Sequence, residues 1–228
     1  VVPENFSFRM TDEEYRVLEK IKNSIPVCYL ADHADFALGI VTGNNKKFLS
    51  AEKTENSEMV LKGTDICKYH INPAKQYLRF EPEQFQQVAP LEIYRAPEKL
   101  LYRFISNQLV VAYDDRQMLS LNSCNIVIPK IEGMQIKYIL AILNSSVSQF
   151  VYQKEFHSIK VLRAHMEHIP IPRVGKAIQN EIIAMTEPLI CGMGKEAAET
   201  CQKRLDCRIM DLFRLSAEEQ WIIRHALH

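Results

Sequence analysis

The sequence offers few residues at spacings that could support catalysis. A metal-dependent nuclease needs an acidic residue followed at some distance by Glu-x-Lys, and no Glu-x-Lys occurs in the 228 residues. The nearest substitute is Asp114 or Asp115 combined with Gln135-Ile136-Lys137. This set lacks the second carboxylate of the pattern, so it does not predict a hydrolytic centre.

Metal-ligating residues are also dispersed. His157, His165 and His168 follow each other at spacings of 8 and 3 residues, which a solvated surface explains more simply than a metal site. The six cysteines include no Cys-x-x-Cys pair, so neither a zinc site nor a redox motif is indicated. We expect no bound metal, and reduced thiols at Cys28, Cys67, Cys124, Cys191, Cys201 and Cys207.

Cofactor loops are missing as well. The chain contains neither the Gly-x-x-x-x-Gly-Lys-Ser/Thr phosphate loop nor the Gly-x-Gly-x-x-Gly dinucleotide loop, and Gly192-Met193-Gly194 is more typical of a helix-ending turn. Asn72-Pro73-Ala74 lacks the second proline and the aromatic ring that hold a flipped base in adenine methyltransferases. We therefore expect a binding protein that is not an enzyme by itself and holds no cofactor in this chain.

The elements that would position binding residues change in type along the chain. Thr11 to Glu14 has the spacing of a capping box, and Tyr15, Leu18 and Ile21 follow at intervals of three. This predicts a surface helix over residues 12–23 that packs this stripe inward.

Short apolar runs separated by polar turns extend from Val27 to Pro129 and predict strands of an irregular, loop-rich β region. The predicted strands are Ala37–Val41, Leu91–Tyr94, Leu109–Tyr113 and Asn125–Ile128.

Helical periodicity resumes after Pro129. Apolar residues at spacings of 3 and 4 predict one buried helix over residues 135–153, and Ile169-Pro170-Ile171-Pro172 is expected to be extended. Helices resume near Gln179, and Ser216 to Glu219 is a second capping box. The fold class predicted is α+β, with a helix and β-rich body at residues 1–130 and a helical part at residues 131–228 that packs on it.

Net charge and hydropathy exclude some classes. The formal net charge is zero, which argues against indiscriminate coating of nucleic acid. No apolar run is long enough to span a bilayer, and Val1 to Asn5 has neither the basic start nor the apolar block of a signal peptide. We expect no membrane partner and a cytoplasmic location.

Five motifs in order along the chain resemble those of one family. They are Leu38–Phe48, with Gly39-Ile40-Val41-Thr42-Gly43; Val60–Tyr69, with Leu61-Lys62-Gly63-Thr64-Asp65-Ile66; Leu143-Asn144-Ser145; His168–Pro172; and Leu205–Ile223. Together they resemble the DNA target recognition (specificity) domains of restriction-modification systems. In particular they resemble the TaqI-like C-terminal specificity domain of adenine-N6 DNA methyltransferases and fused type II restriction-methylation enzymes.

The resemblance implies sequence-specific recognition of double-stranded DNA. The specificity domain would place a methyltransferase or nuclease part, in the same or a partner polypeptide, over its target, and S-adenosylmethionine would bind in that catalytic part. Phosphate contacts would suit Lys46, Lys47, Lys62 and Lys68, although arginine is usual where Lys68 stands. Base contacts would suit Arg79, Arg95, Arg103 and Arg116 and the amides Asn44, Asn45, Gln117 and Asn122.

Simpler interpretations exist for each of these residues. Thr42, Gly43, Asn44 and Asn45 are also typical of a hairpin turn, and a turn is compatible with DNA contact. Lys62 to Asp65 could be a turn with Asp65 as a structural cap, and the arginines could form surface salt bridges. At the level of the chain, the alternatives are a protein-interaction module of such a complex, or a specificity subunit of a type I restriction system.

Overall fold

The computed structural model describes residues 10–156 and 158–227. Residues 1–9, His157 and His228 lie outside the described residues, as do the parts of the predictions that fall on them. The described chain combines helices with two four-stranded sheets, which confirms the predicted α+β class.

The elements are numbered here in chain order. The helices are α1 (Asp12–Asn23), α2 (Asn45–Phe48), α3 (Leu91–Tyr94), α4 (Ile136–Asn144), α5 (Ser146–Glu155), α6 (Arg163–Glu167), α7 (Lys176–Ile190), α8 (Lys195–Leu212) and α9 (Ala217–Ala226). The strands are β1 (Val27–Cys28), β2 (Ala34–Ala37), β3 (Leu49–Ser50), β4 (Ser57–Leu61), β5 (Tyr77–Arg79), β6 (Lys99–Arg103), β7 (Val111–Asp114), β8 (Leu119–Ser120), β9 (Cys124–Pro129) and β10 (Ile171–Pro172).

Helix α1 begins where the sequence predicts. The Thr11 side chain accepts a hydrogen bond from the Glu14 N–H, and the Glu14 carboxylate accepts one from the Thr11 N–H, so two otherwise unpaired donors are satisfied. The buried stripe is Val17, Leu18 and Ile21. The prediction that Tyr15 faces inward is wrong, because a helix turns 100° per residue and Tyr15 falls beside this stripe, where it is 56% exposed.

The first sheet has the strand order β2-β9-β6-β7 and is antiparallel throughout. Strands β6, β7 and β9 are nearly continuous apolar runs because both faces of this sheet are covered. One face contributes Leu100, Tyr102 and Val127 to the core formed with the helices, and the other contributes Leu101 and Ile126 to a second core under the second sheet.

The second sheet has the order β3-β5-β4-β8, and its β4-β8 pair is parallel. Its register defines two ends. We call one of them the turn end. There, β3 begins after Phe48 and β4 begins at Ser57, while β5 ends at Arg79. The 115–118 turn leads into β8 at the same end. At the other, which we call the glycine end, β4 runs into Lys62-Gly63 and β8 runs into Leu121–Ser123.

Three sequence predictions of element type fail. Residues Ala37–Val41 do not form a strand, because β2 ends at Ala37, and Ile40 and Val41 form only isolated bridges to Leu121 and Gln87. Residues Leu91–Tyr94 form the short helix α3 rather than a strand, since Pro90 begins the turn and the Arg95 N–H donates to the Leu91 carbonyl. The predicted helix over residues 135–153 is two helices, because Ser145 adopts an extended conformation and its hydroxyl caps α5 by accepting from the Ser148 N–H.

Two buried carboxamides from α4 and α5 attach the helices to the outer edge of β7. The Asn144 side chain accepts from the Val111 N–H at 3.1 Å and donates to the Val111 carbonyl at 2.8 Å. The Gln149 side chain forms the same pair with Leu109, at 3.0 Å in both directions. Each amide therefore replaces the hydrogen bonds that a neighbouring strand would have made.

The remaining helices complete the larger core. Ile171-Pro172 is extended as predicted and pairs with β1. Helices α7 and α8 pack as a hairpin against α4 and α5, and α9 begins at the predicted capping box of Ser216 and Glu219. The larger core joins α1, one face of the first sheet and the C-terminal helices, so the predicted division at residue 130 runs through shared packing and stays a prediction.

Candidate nucleic-acid interface

The glycine end is held together by close backbone approaches. A Cβ atom on Gly39 would lie 2.1 Å from the Leu121 carbonyl oxygen, and one on Gly63 would lie 2.5 Å from the Ser123 carbonyl oxygen. The Gly63 N–H also donates to the Ser123 hydroxyl at 2.9 Å, and the Gly39 N–H donates to the Asn125 side chain at 3.2 Å. Only glycine fits here, so the two family-like motifs are joined through the 121–125 segment.

Arg103 and Asp65 stabilise the same end. The Arg103 guanidinium donates to the Gly63 carbonyl at 2.9 Å and to the Ile66 carbonyl at 2.5 Å. The buried Asp65 carboxylate accepts from the Lys62 N–H at 2.9 Å, and it closes the short 3₁₀ turn Gly63–Asp65. Lys62 is half-buried and forms no ion pair in the described part of the chain, and its predicted phosphate contact stays a prediction.

Lys68 lies in a different environment from Lys62. Its ammonium donates to the Asn144 carbonyl at 3.2 Å, and burial lowers its pKa, an effect that the nearby Asp206 carboxylate opposes. The next residue, Tyr69, has a φ of 74° and bridges to Ala112 of β7, which fixes the segment against the first sheet. The structure thus gives Lys68 an internal partner, and its predicted DNA contact stays a prediction.

The loop Thr42–Lys47 forms a capped helical turn rather than a two-residue hairpin. Gly43 has a φ of +77°, and the Asn44 side chain accepts from the Lys47 N–H at 3.2 Å as the cap of α2. The buried Thr42 hydroxyl donates to the Asn45 side-chain oxygen at 2.6 Å. Lys46 and Lys47 are exposed, and the Lys47 ammonium lies 4.7 Å from the centre of the Phe48 ring.

The turn end is organised around Arg95 and Asp114. Arg95 donates to the Glu58 carboxylate at 2.6 Å and to the Gln117 carbonyl at 2.7 Å. The fully buried Asp114 accepts from Lys99 at 2.5 Å and from the backbone N–H groups of Arg116 and Met118. The Arg116 and Gln117 side chains point into solvent without a polar partner in residues 10–156 and 158–227.

The structure divides the predicted DNA-binding residues into two groups. Arg95, Arg116 and helix α2, with its side chains Lys46 and Lys47, lie at the turn end. The loop that precedes α2 lies at this end as well. Lys62 and Arg103 lie at the glycine end. The first group contains Thr42, Gly43, Asn44, Asn45, Lys46, Lys47, Arg95 and Arg116, and the second contains Lys62 and Arg103. Lys68 belongs to neither group, because it lies against Asn144 of α4.

The catalytic candidates do not assemble. Asp114 is buried against Lys99, whereas Lys137 pairs with Glu187 on α7 at 2.7 Å. The Cys124 thiol is buried, which raises its pKa, so it is not a nucleophile of the thiolate type. Of the three histidines, His157 lies outside the described residues, and within these residues no three His, Cys, Asp or Glu side chains converge on a metal position.

Among residues 10–156 and 158–227, no helix has the length and apolar character needed to cross a bilayer.

Several residues that shape the site are not identifiable from sequence. Lys99, Asn125 and Gln149 are buried polar residues inside otherwise apolar runs. The signal available is that a charged or amide residue in such a run must have a polar partner, although the sequence does not name the partner.

Solved structures with similar folds come from restriction-modification enzymes. The chain is similar over 88% of its length to the type IIL restriction-modification enzyme MmeI in complex with DNA, with a TM-score of 0.58, 11% sequence identity and 35% of that chain covered. It is similar over 95% of its length to the type IIG restriction endonuclease BpuSI, with a TM-score of 0.54, 11% identity and 32% of that chain covered.

A third similar structure is the HsdS subunit from Thermoanaerobacter tengcongensis, with a TM-score of 0.46, 15% identity, and coverage of 94% of this chain and 50% of that one. The chain therefore spans between about a third and a half of the length of these proteins. A comparison with curated protein sequences finds no match.

The family comparison is based on sequence. A model of the TaqI-like C-terminal specificity domain matches residues 58–171, which include all of β4 except Ser57, the Lys62-Gly63 and Leu121–Ser123 segments, the 115–118 turn, and helices α4 and α5. The matched segment is half of the chain. The chain belongs to the TaqI-like C-terminal specificity domain family.

Proposed function

We propose that this chain recognises a specific sequence in double-stranded DNA and positions the methyltransferase part, and any nuclease part, of a restriction-modification enzyme. The observation that carries the proposal is the specificity-domain match over residues 58–171, which contains both the Lys62-Gly63 turn and the 115–118 turn. The structure supports it because hydrogen bonds to the buried carboxylates of Asp65 and Asp114 hold each turn, while its cations remain exposed or half-exposed.

The dimensions of the turn end suit a DNA groove. Four strands at a spacing of about 4.8 Å place the entry to β3 roughly 14 Å from the entry to β8. A major groove is about 12 Å wide, so α2 and the 115–118 turn could contact its two phosphate walls or the bases between them. Lys46, Lys47 and Arg116 supply cations at these two places and form no ion pair in the described residues.

Charge at the turn end predicts a modest affinity for the isolated chain. Two of its arginines are already neutralised, since Arg95 pairs with Glu58 and Arg79 pairs with Glu81. Asp115 is exposed beside Arg116 and opposes an approaching phosphate. Few phosphates can be neutralised, so binding by the isolated chain should be weak, and its affinity should fall as salt rises with a slope of about −0.9 for each phosphate contacted.

The helical part is proposed to attach the chain to its catalytic part, where S-adenosylmethionine would bind. The seam between α7 and α8 is only partly covered and leaves a cleft of about 580 Å³ lined by Met185, Met193 and Cys201. An open apolar cleft of this kind is suited to a protein surface. This observation also favours the second candidate function, a protein-interaction module that holds such a complex together without reading DNA.

Fluorescence anisotropy with a labelled duplex at two salt concentrations tests the proposal. We expect weak binding whose affinity falls as salt rises, and a lower salt slope, by up to about 2, for Lys46→Ala/Lys47→Ala because two phosphate contacts are lost. The matched control is Lys176→Ala/Lys195→Ala, which removes two exposed lysines from the starts of α7 and α8.

Two results would contradict DNA recognition. One is the absence of duplex binding by the chain both alone and joined to its catalytic part. The other is an equal loss of DNA affinity in Lys46→Ala/Lys47→Ala and in Lys176→Ala/Lys195→Ala, which would indicate non-specific electrostatic attraction. A stable complex with the catalytic part in the absence of any DNA affinity would favour the interaction module instead.

A further inference from the structure

The 115–118 turn is fixed by a buried ion pair. Lys99 and Asp114 are both fully buried, and the Lys99 ammonium donates to the Asp114 carboxylate at 2.5 Å and to the Tyr94 carbonyl at 2.6 Å. These residues face each other on the antiparallel strands β6 and β7, so the pair spans the last register position before the turn.

The two carboxylate oxygens of Asp114 continue directly into the turn. One accepts from the Arg116 N–H at 2.9 Å, and the other accepts from the Met118 N–H at 3.0 Å while it holds Lys99. Between these points Gln117 has a φ of 57°, a left-handed conformation that a non-glycine residue adopts only when its surroundings impose it. Arg95 adds a third restraint by donating to the Gln117 carbonyl.

The main effect of this hydrogen-bond network is to fix the conformation of the 115–118 turn, and not to stabilise the fold. Two buried charges lose their hydration, and apolar residues of the same size often replace a buried ion pair without loss of stability. An apolar residue could not accept the two backbone N–H groups, however, and would release the turn. The feature that requires Asp114, and Lys99 as its counter-charge, is therefore the conformation of residues 115–118.

The turn presents two side chains that can distinguish bases. Arg116 and Gln117 are exposed and form no side-chain hydrogen bond in the described residues. A guanidinium can donate two hydrogen bonds to guanine, and a carboxamide can donate to and accept from adenine. Arg95 and Arg103 are less suited, because their guanidinium groups already donate to protein oxygens.

We propose that the 115–118 turn is the base-reading element of this domain, with Arg116 and Gln117 as specificity-determining residues and the Lys99–Asp114 ion pair as the device that positions them. The inference rests on the proposed function and extends it by assigning the reading to one turn. It predicts a guanine read by Arg116 and an adenine read by Gln117 at neighbouring base pairs, since the two residues are adjacent in the chain.

Selection of bound duplexes from a randomised library by the complete chain, followed by sequencing, tests the reading. The wild-type chain should enrich a motif with a guanine and an adenine close together. Arg116→Ala should reduce the preference for guanine at one position about ten-fold or more, and Gln117→Ala should do the same at an adjacent adenine, while the other positions keep their preference. Lys46→Ala is the matched control, which should weaken binding to all sequences alike.

The positioning role needs variants that do not touch DNA. Lys99→Met/Asp114→Asn keeps the buried site neutral, and Lys99→Met/Asp114→Ser is a second neutral pair that serves if the first does not fold. Either should lose preference at the Arg116 and Gln117 positions and keep the rest of the motif. Leu205→Ala, in the helical core, provides comparable destabilisation far from the turn and should leave the whole motif intact.

The outcomes separate the two proposals. If the wild-type chain enriches no motif, alone or with its catalytic part attached, the proposed function fails and this inference fails with it. If a motif appears and is unchanged in Arg116→Ala and Gln117→Ala, only the reading by this turn is wrong. If those variants change the motif but the Lys99 variants lose no more preference than Leu205→Ala does, the positioning role is overturned.

Discussion

Glycine at two positions decides whether the glycine end can form. The space beside Gly63 is occupied by the Ser123 carbonyl oxygen, and the space beside Gly39 by the Leu121 carbonyl oxygen. These atoms belong to backbone that is itself hydrogen-bonded, so they cannot move aside as a flexible side chain could. The glycines of the two motifs are thus required by packing, whatever the DNA contacts of their neighbours.

Substitution of Gly63 by alanine should lower the free energy of unfolding by about 1–3 kcal/mol, because the added Cβ would meet the Ser123 carbonyl. Urea unfolding followed by circular dichroism measures the change. Gly175→Ala is the control, since no atom lies within 4 Å of the added Cβ there, and we expect a change below about 0.5 kcal/mol. Equal decreases in the free energy of unfolding for both variants would show that the close approach of Gly63 to the Ser123 carbonyl does not contribute to stability.

At the scale of elements, polar residues decide where helices begin and what they join. The break between helices α4 and α5 is stabilised by a residue of a third helix, α8. The Asp206 carboxylate accepts from the Ser146 N–H at 2.8 Å and from the Ser146 hydroxyl at 2.9 Å. A negative charge at the start of α5 also suits the positive end of its helix dipole. Through this contact α8 is attached to the part of the chain that carries Asn144 and the β7 edge.

Replacement of Asp206 by alanine should therefore loosen α8. We expect a loss of about 1–3 kcal/mol, since a helix-terminal N–H loses its partner, and faster hydrogen exchange in α8 than in the first sheet. Hydrogen exchange with mass spectrometry resolves the two regions. Glu196→Ala removes an exposed carboxylate from the first turn of the same helix, and it should not change the exchange rates.

The sequence predicts helices better than it predicts the β body. Residues 12–23 and the helix after Ser216 are correctly predicted because a capping box and a regular apolar period are local features. Residues 91–94 are not, since an apolar run of four is equally compatible with a strand and a turn of helix. The break at Ser145 depends on contacts with Asp206 and β7, which lie far away in sequence.

The candidate site is predictable only in part, because its residue types can be read from the sequence but its long-range contacts cannot. The sequence identifies which cations and amides are available, and the resemblance identifies the motifs. It does not show that Arg103 donates to carbonyls of the glycine end or that Lys99 lies against Asp114. These pairings follow from the register of β6 with β7 and from the docking of two sheets, and both depend on the whole fold.

At the scale of the whole molecule, several tyrosines are buried in the cores. Burial raises the pKa of Tyr102 to about 12, and it also raises the pKa of Tyr69 and Tyr138. Below pH 10 these hydroxyls are protonated in both the folded and the unfolded chain. Above pH 10 the unfolded chain loses protons that the folded chain keeps, so the free energy of unfolding should fall as the pH rises toward 12.

Urea unfolding between pH 8 and 12 tests this dependence. Each such tyrosine contributes a fall of up to about 1.4 kcal/mol per pH unit above pH 10, and Tyr102→Phe should make the curve correspondingly less steep. Tyr15→Phe changes an exposed ring and should leave the slope as it is in the wild type. A curve that is flat up to pH 12 would contradict the expectation.

The carboxamides of α4 and α5 that bind the edge of β7 affect how the protein can associate in concentrated solution. An outermost strand normally presents free N–H and C=O groups on which a strand of another molecule can add, and this is a common start of aggregation. Here Asn144 and Gln149 occupy these groups at Val111 and Leu109, and the Tyr69 carbonyl accepts from the Tyr113 N–H. This margin of the sheet is therefore closed to intermolecular strand addition, although β7 is the outermost strand of the sheet among the described residues.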